Sequence, residues 1–352
     1  MSNIIFRVKS KKILVYGYFG YETNQLDGQT IKTRAIFELL EKNAAEINMV
    51  VDYFDTQTFK KNKFNLIKSW YLISKSDVLY YLPAHNNLKY LFPFIFFICK
   101  LKRIDIHYLV IGGWLSTFLK KLRLHQILLG RIKGIYAETK ELKDSLNDLY
   151  GFNNVVQLHN FRFYDESRKK QGVNKSPRLI FMARINPQKG IKTLFELAKK
   201  LSERGFENIP VDIYGQIQHD YEPEFRQLLN TKKGNINYCG VLKPDEITEK
   251  LKEYDVFLFP TEFYTEGFPG SILDAYIAEV PVVVSRWKYA DELVRNDESG
   301  IICEFGSADD FVNKTIDLIS DEEKLNRLCI NVKKEKDKYS AQAAWEILKK
   351  HI

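Results

Sequence analysis

Two successive rounds of short apolar runs alternating with helical patterns constrain this chain more than any other feature. The first round is "KKILVYGYFG", "NMVVDYFD", "DVLYYLP", "IDIHYLVIGG" and "GIYAET", with patterns such as "IKTRAIFELLEK" between the runs. Short β-branched and aromatic runs bounded by glycine or proline read as strands, and apolar recurrence every three to four residues reads as helix. From "RFYDESRKKQGVNKSPR" the chain is polar and basic without periodicity. The alternation then restarts with "RLIFMARI", "VDIYGQI", "INYCGV", "VFLFPT", "VPVVVS" and "GIICE". Strands alternating with helices imply a parallel sheet with helices on both faces, and 352 residues exceed what a single core usually supports. The expected fold class is α/β, two Rossmann-like domains facing across a cleft: residues 1–165, a linker over 166–177, and residues 178–335. The remainder, 336–352, holds "YSAQAAWEILKKHI", a helix with Ser340 as N-cap, expected to cross back onto the first domain.

Composition and charge narrow the function classes. Cys99, Cys239, Cys303 and Cys329 stand apart without C-x-x-C spacing, so neither a zinc site nor a disulfide framework is expected, and the thiols read as reduced and structural. The apolar patch before Arg7 is too short for a signal-peptide core. The nearest approach to a membrane span, "YLFPFIFFICK", is interrupted by Pro93 and ends at Lys100. The net charge of +8 is uneven: residues 56–137 hold fourteen Lys and Arg against Asp77 and Asp105 alone. Such an excess is a solvated face or meets an anionic membrane or nucleic acid. "SWYLISKS" and "STFLKKLRLHQILLGRIKG" interleave bulky apolar residues with cations, as interfacial helices do, and no nucleic-acid-binding motif accompanies them. The expected place is cytoplasmic, peripheral to the inner face of the cell membrane, with an anionic membrane surface as partner and no nucleic acid.

Parallel sheets bind ligands beyond the carboxyl ends of their strands, where loops lead into helix N-termini. "YGYFGYETN" lacks G-x-G-x-x-G, which argues against a dinucleotide dehydrogenase. In "FMARINPQKG", Arg184 and Lys189 straddle a turn before a helix, and two cations beside a helix N-terminus make a site for a diphosphate. In "EGFPGSILDAY", Glu266 precedes a turn whose Gly267 and Gly270 let backbone approach a ligand, and Asp274 follows on a helix. Eight helical residues span about 12 Å, too far for the two carboxylates to act on one bond as a retaining hydrolase pair does at about 5 Å. They are expected to grip separate parts of one extended ligand.

The order from R-x4-K through E-G-F-P to "WKYADELV" and "NDESGIICEFGSADDF" resembles the glycogen-synthase-like, group 1 family of retaining glycosyltransferases, closely over residues 178–330. The match is looser but continuous before that, through "NQLDGQTIKT" and "YAETKELKDSLNDLYGFNNVVQLHNF". The resemblance implies a GT-B fold with acceptor on the N-terminal domain and nucleotide-sugar donor on the C-terminal one. It implies that Arg184 and Lys189 hold the diphosphate, that Glu266 contacts the donor sugar, that backbone amides of the turn running from Phe268 through Pro269 and Gly270 to Ser271 support sugar and phosphate, and that Asp274 grips the ribose. Gly28 and Gln29 are expected to bring backbone against the donor.

Two departures stand out. The family's E-x7-E is here E-x7-D, and its shorter arm implies a longer, water-bridged or backbone-compensated ribose contact. Many relatives place a His after the strand matching "IHYLVIGG", where this chain has Gly112-Gly113-Trp114; His107 reads as a core residue, and His85 with Trp114 are the acceptor-side candidates. The reading is a retaining transferase that moves a sugar from a UDP- or GDP-linked donor to a lipid-linked saccharide in bacterial surface polysaccharide (capsule) synthesis. It needs no cofactor, and Arg184 with Lys189 stand where other transferases use a metal. The alternative is a catalytically silent GT-B subunit that positions a partner enzyme.

Overall fold

The first round of runs forms β1 (Lys11–Gly17), β2 (Met49–Asp55), β3 (Val78–Leu82), β4 (Asp105–Leu109) and β5 (Gly134–Ala137), joined by β6 (Val155–Gln157). The second forms β7 (Leu179–Met182), β8 (Val211–Tyr214), β9 (Ile236–Tyr238), β10 (Val256–Phe259), β11 (Val282–Ser285) and β12 (Gly300–Cys303). This computed structural model describes residues 10–23, 25, 27–62, 64–164 and 172–352. The expected linker lies partly outside the described residues, as does the segment around Arg7.

Each set makes one six-stranded parallel sheet, in the orders β2-β1-β3-β4-β5-β6 and β12-β11-β10-β7-β8-β9. Strands β3, β5, β7, β8, β10, β11 and β12 are buried throughout, as strands covered by helices on both faces must be. Contacts divide the chain into a first unit that runs to Asn160 and includes 344–352, and a second over Phe161–Ala343. The segment Phe161–Tyr164, read in sequence as the end of the first domain, packs with the second, and so does Lys336–Ala343.

In both sheets the chain leaves its first strand toward one edge and returns on the other side. That switch point lies between β1 and β3 in the first unit and between β7 and β10 in the second. Loops that diverge there leave a crevice where parallel sheets hold ligands. The sequence candidates fall on these loops: Gly28 and Gln29 after β1, His85 after β3, Arg184 and Lys189 after β7, Glu266 to Asp274 after β10.

The final helix, Ala341–Leu348, starts as expected: the Ala343 amide donates to Ser340 Oγ (3.1 Å). Its Trp345 is buried and donates from Nε1 to Glu46 Oε2 (2.8 Å), inside the first unit. No disulfide joins the cysteines, but Cys239 is exposed rather than packed in the core. No helix among the described residues is long and apolar enough to cross a membrane.

Candidate active site

The loops after β7 and β10 are built as one piece. A turn at Pro187–Lys189 ends in Gly190 with φ +67°, and a Cβ there would lie 1.8 Å from the Pro260 carbonyl oxygen. Only glycine permits so close an approach in the left-handed region. The Gln188 carbonyl accepts from the Glu262 amide (2.8 Å) and from Thr261 Oγ1 (3.3 Å), which ties the turn to the chain leaving β10. The result is an ion pair between Lys189 Nζ and Glu266 Oε2, both largely buried, with Lys189 also 5.4 Å from the centre of the Phe259 ring. Arg184 is exposed and makes no ion pair among the described residues, so its charge is open to a ligand.

The helix after the E-G-F-P-G turn begins only at Gly270 and runs to Ile277, so Glu266 lies in the preceding loop and the helical span to Asp274 is half of what the sequence suggests. Pro269 precedes it in extended conformation, and no side chain caps it. Its first amides therefore lack an intrahelical acceptor, as do those of the Ile191–Glu203 helix that follows Lys189, also uncapped by a side chain. Gly267 and Ser271 are partly exposed, whereas Phe268 and Pro269 are buried. Phe268 packs against Tyr339 at 5.7 Å between ring centres.

Asp274 is already partnered. Arg162 Nε donates to Oδ1 (2.7 Å) and Nη2 to Oδ2 (3.3 Å), and Nη2 also reaches the Gly270 carbonyl (3.4 Å). A Cβ on Gly270 would stand 2.7 Å from Nη2, so glycine makes room for the guanidinium. The Arg fork uses one lone pair on each carboxylate oxygen and leaves one on each for two further donors, such as a vicinal diol. Sequence reasoning missed Arg162 because a lone Arg at the start of a basic, aperiodic stretch carries no signal. Beside this constellation, a cavity of about 570 Å³ opens at the carboxyl ends of β11 and β12, with Tyr264, Trp287 and Lys288 in its wall.

In the first unit, Gly28 opens the Gly28–Lys42 helix and is exposed, with open space where a Cβ would be. The Gln29 amide is committed to the capping carboxylate of Asp27 (3.0 Å), while its side-chain Nε2 is buried without a hydrogen-bond partner. One turn further on, Lys32 is buried and donates to Glu138 Oε1 (2.6 Å) and to the Val110 carbonyl (2.8 Å). Burial pulls its pKa down and the Glu138 charge pushes it back up, with a net lowering. Glu138 Oε2 in turn accepts from the Gly112 amide (3.3 Å), so this pair fixes the Gly112–Trp114 loop. Neither residue was picked out from sequence.

His85 and Trp114 come together: the rings lie 5.0 Å apart, and Phe118 closes on His85 at 4.6 Å. His85 is exposed at the first residue of the His85–Tyr90 helix. His107 is a core residue, as read: it stacks on Tyr80 at 4.9 Å, and its Nδ1 lies 2.9 Å from the Tyr136 hydroxyl. Burial, with the charges of Lys133 and His351, lowers its pKa to about 3. Among the described residues no three of His, Cys, Asp and Glu gather into a metal-holding group.

Residues 163–335 match the model of the glycosyl transferases group 1 family. The chain is 31% identical over 171 residues to the N,N'-diacetylbacillosaminyl-diphospho-undecaprenol alpha-1,3-N-acetylgalactosaminyltransferase of Campylobacter jejuni, covering 47% of this chain and 43% of that one. It is 27% identical over 203 residues to the capsular polysaccharide biosynthesis glycosyltransferase CapM of Staphylococcus aureus, covering 56% and 52%. The matches thus span about half the length of these curated relatives. The structure of Anabaena HepE in complex with UDP and glucose superposes with a TM-score of 0.72 at 14% identity, covering 97% of this chain and 98% of that one. The match to the glycosyl transferases group 1 family thus rests on residues 163–335, and the chain as a whole has a GT-B fold.

Proposed function

We propose that the chain is a retaining glycosyltransferase that moves a sugar from a UDP- or GDP-linked donor to a lipid-linked saccharide in bacterial surface polysaccharide synthesis. The observation that carries this reading is the Lys189–Glu266 pair, made by the two loops that diverge at the β7/β10 switch point. Glu266 orients Lys189 and leaves two of its three N–H groups for phosphate oxygens. Arg184, which makes no ion pair among the described residues, and the open amides at Ile191 and Gly270 add to the positive field. Breaking the bond between the anomeric carbon and the diphosphate leaves negative charge on the diphosphate, and fixed cations there act mostly on the transition state. The new bond forms from an acceptor hydroxyl to the same carbon, and the hydroxyl proton passes to an oxygen of the departing phosphate. Glu266 meets hydroxyls of the transferred sugar, and Asp274, held by Arg162, meets the ribose. The Campylobacter jejuni relative, named for a diphospho-undecaprenol acceptor, supports the lipid-linked assignment. A lipid-linked acceptor would be met at the inner membrane face, and the proposal includes that location.

The test is nucleotide release from a panel of UDP- and GDP-linked sugars with and without acceptor. Lys189→Ala and Glu266→Ala are each expected to lower release at least about a hundredfold, the scale of losing a transition-state contact, with an unchanged circular-dichroism spectrum. Undiminished turnover in both variants would sink the assignment.

A further inference from the structure

A second site lies at the other end of the first sheet. A cavity of about 260 Å³ opens at the amino ends of β4 and β5, away from the switch-point loops, and four cations line it: Lys100, Arg103, Arg131 and Lys133. They come from two pieces of chain. Lys100 and Arg103 close the Phe92–Lys102 helix, with Arg103 in left-handed conformation (φ +57°), and Arg131 and Lys133 lead into β5. The Lys133 amide bonds to the Ile106 carbonyl (3.1 Å), which holds the second pair against the first strand of the cavity.

None of the four makes an ion pair or side-chain hydrogen bond among the described residues, although surface cations elsewhere in the chain commonly do, as Lys140 does with Asp144. Asp105, the one carboxylate in the lining, pairs with none of them. The negative end of the Phe92–Lys102 helix accounts for Lys100 and Arg103 but not for Arg131 and Lys133, which belong to another element. Four like charges around one concavity repel one another, and an anion with several acceptor oxygens relieves that repulsion while using their donors.

We infer that this cavity is a phosphate-binding site, for a phosphate group carried by an anionic lipid or free in solution. A lipid source has structural support next to the cavity: Leu101 and Phe97 stand exposed on the same helix that supplies Lys100 and Arg103. The site is separate from the donor reading and does not depend on it.

The experiment uses the full chain, its Arg131→Gln/Lys133→Gln variant, and a control of equal charge change on the same basic stretch, Lys120→Gln/Lys121→Gln. Two probes are applied: inorganic phosphate, read as a rise in thermal midpoint over chloride at equal ionic strength, and vesicles of phosphatidylglycerol in phosphatidylcholine, read by co-sedimentation. Wild type and control are expected to respond, and the cavity variant to lose about tenfold in affinity for the probe that binds. Loss with vesicles alone assigns a lipid headgroup, and loss with inorganic phosphate assigns a free anion. Equal weakening of both variants, or no response of the wild type to either probe, overturns the site. A cavity variant that keeps both its phosphate response and its vesicle binding overturns it while leaving membrane association itself intact.

Discussion

Arg162 changes how the shortened acidic arm at Asp274 is understood. The sequence offered a longer or water-bridged contact, whereas the structure shows a carboxylate fixed by a bidentate guanidinium from a segment 112 residues earlier. Arg162→Met strands a mostly buried carboxylate, at a cost of about 2–3 kcal/mol, below the loss for a fully buried pair because both side chains keep some exposure. UDP or GDP binding by calorimetry is expected to weaken about tenfold, with no further loss when Asp274→Asn is added, because the two act as a unit. Additive losses would separate them. His107 carries a different prediction. Its pKa in the fold, about 3, lies below the ordinary 6.5, so the unfolded chain binds the extra proton between those values. Stability is then full above about pH 6.5 and falls as pH drops toward 3, by up to about 1.4 kcal/mol per unit for this one group. Urea titrations between pH 7.5 and 5 check this, and His107→Phe is expected to flatten the slope in that window.

Among elements, the Gly28–Lys42 helix shows how a buried charge fixes a loop. Lys32 projects from it beneath the carboxyl ends of β4 and β5 and holds Glu138, which holds Gly112. Lys32→Met leaves Glu138 buried without its counter-charge, at about 3–5 kcal/mol. Adding Glu138→Leu is expected to restore part of that loss, less the cost of the Gly112 amide left without an acceptor. Three of the four tryptophans, Trp70, Trp114 and Trp345, lie in the first unit, so fluorescence-detected urea unfolding reports on it. The strands were legible as elements because apolar runs between turns are local signals. β6 was not: Val155 and Val156 stand as a short apolar pair between polar neighbours, and pairing with β5 makes the segment a strand. The Lys189–Glu266 pair was legible only as two motifs, since 77 residues separate its members and the packing of Gly190 on Pro260 brings them together.

At the scale of the molecule, the basic stretch of residues 56–137 becomes a surface. The Asn65–Ser74, Phe92–Lys102 and Arg123–Leu129 helices each bury one apolar stripe in the first core and expose another: Ile67, Trp70 and Tyr71, then Phe94, Phe97 and Leu101, then Leu124 and Ile127. Phe94 and Phe97 are about 60% exposed (62% and 59%), which a purely solvated face does not explain. Cations flank these residues, which the proposed location at a membrane face would use. Co-sedimentation with anionic vesicles is expected to fall as salt rises, and Phe94→Ser/Phe97→Ser to remove the binding that persists at high salt. Binding indifferent to salt and to lipid charge would leave no electrostatic part.

The two α/β halves and the return of the last helix could be read from the sequence, because periodicity, glycine turns and capping residues act over a few neighbours. Tertiary structure alone decided the partners. Which cation meets Glu266, which holds Asp274, which charge Lys32 answers and which four cations share a cavity depend on side chains brought together across tens to more than a hundred residues. Such contacts leave no local pattern in the sequence, since burial and electrostatic pairing are properties of packed elements.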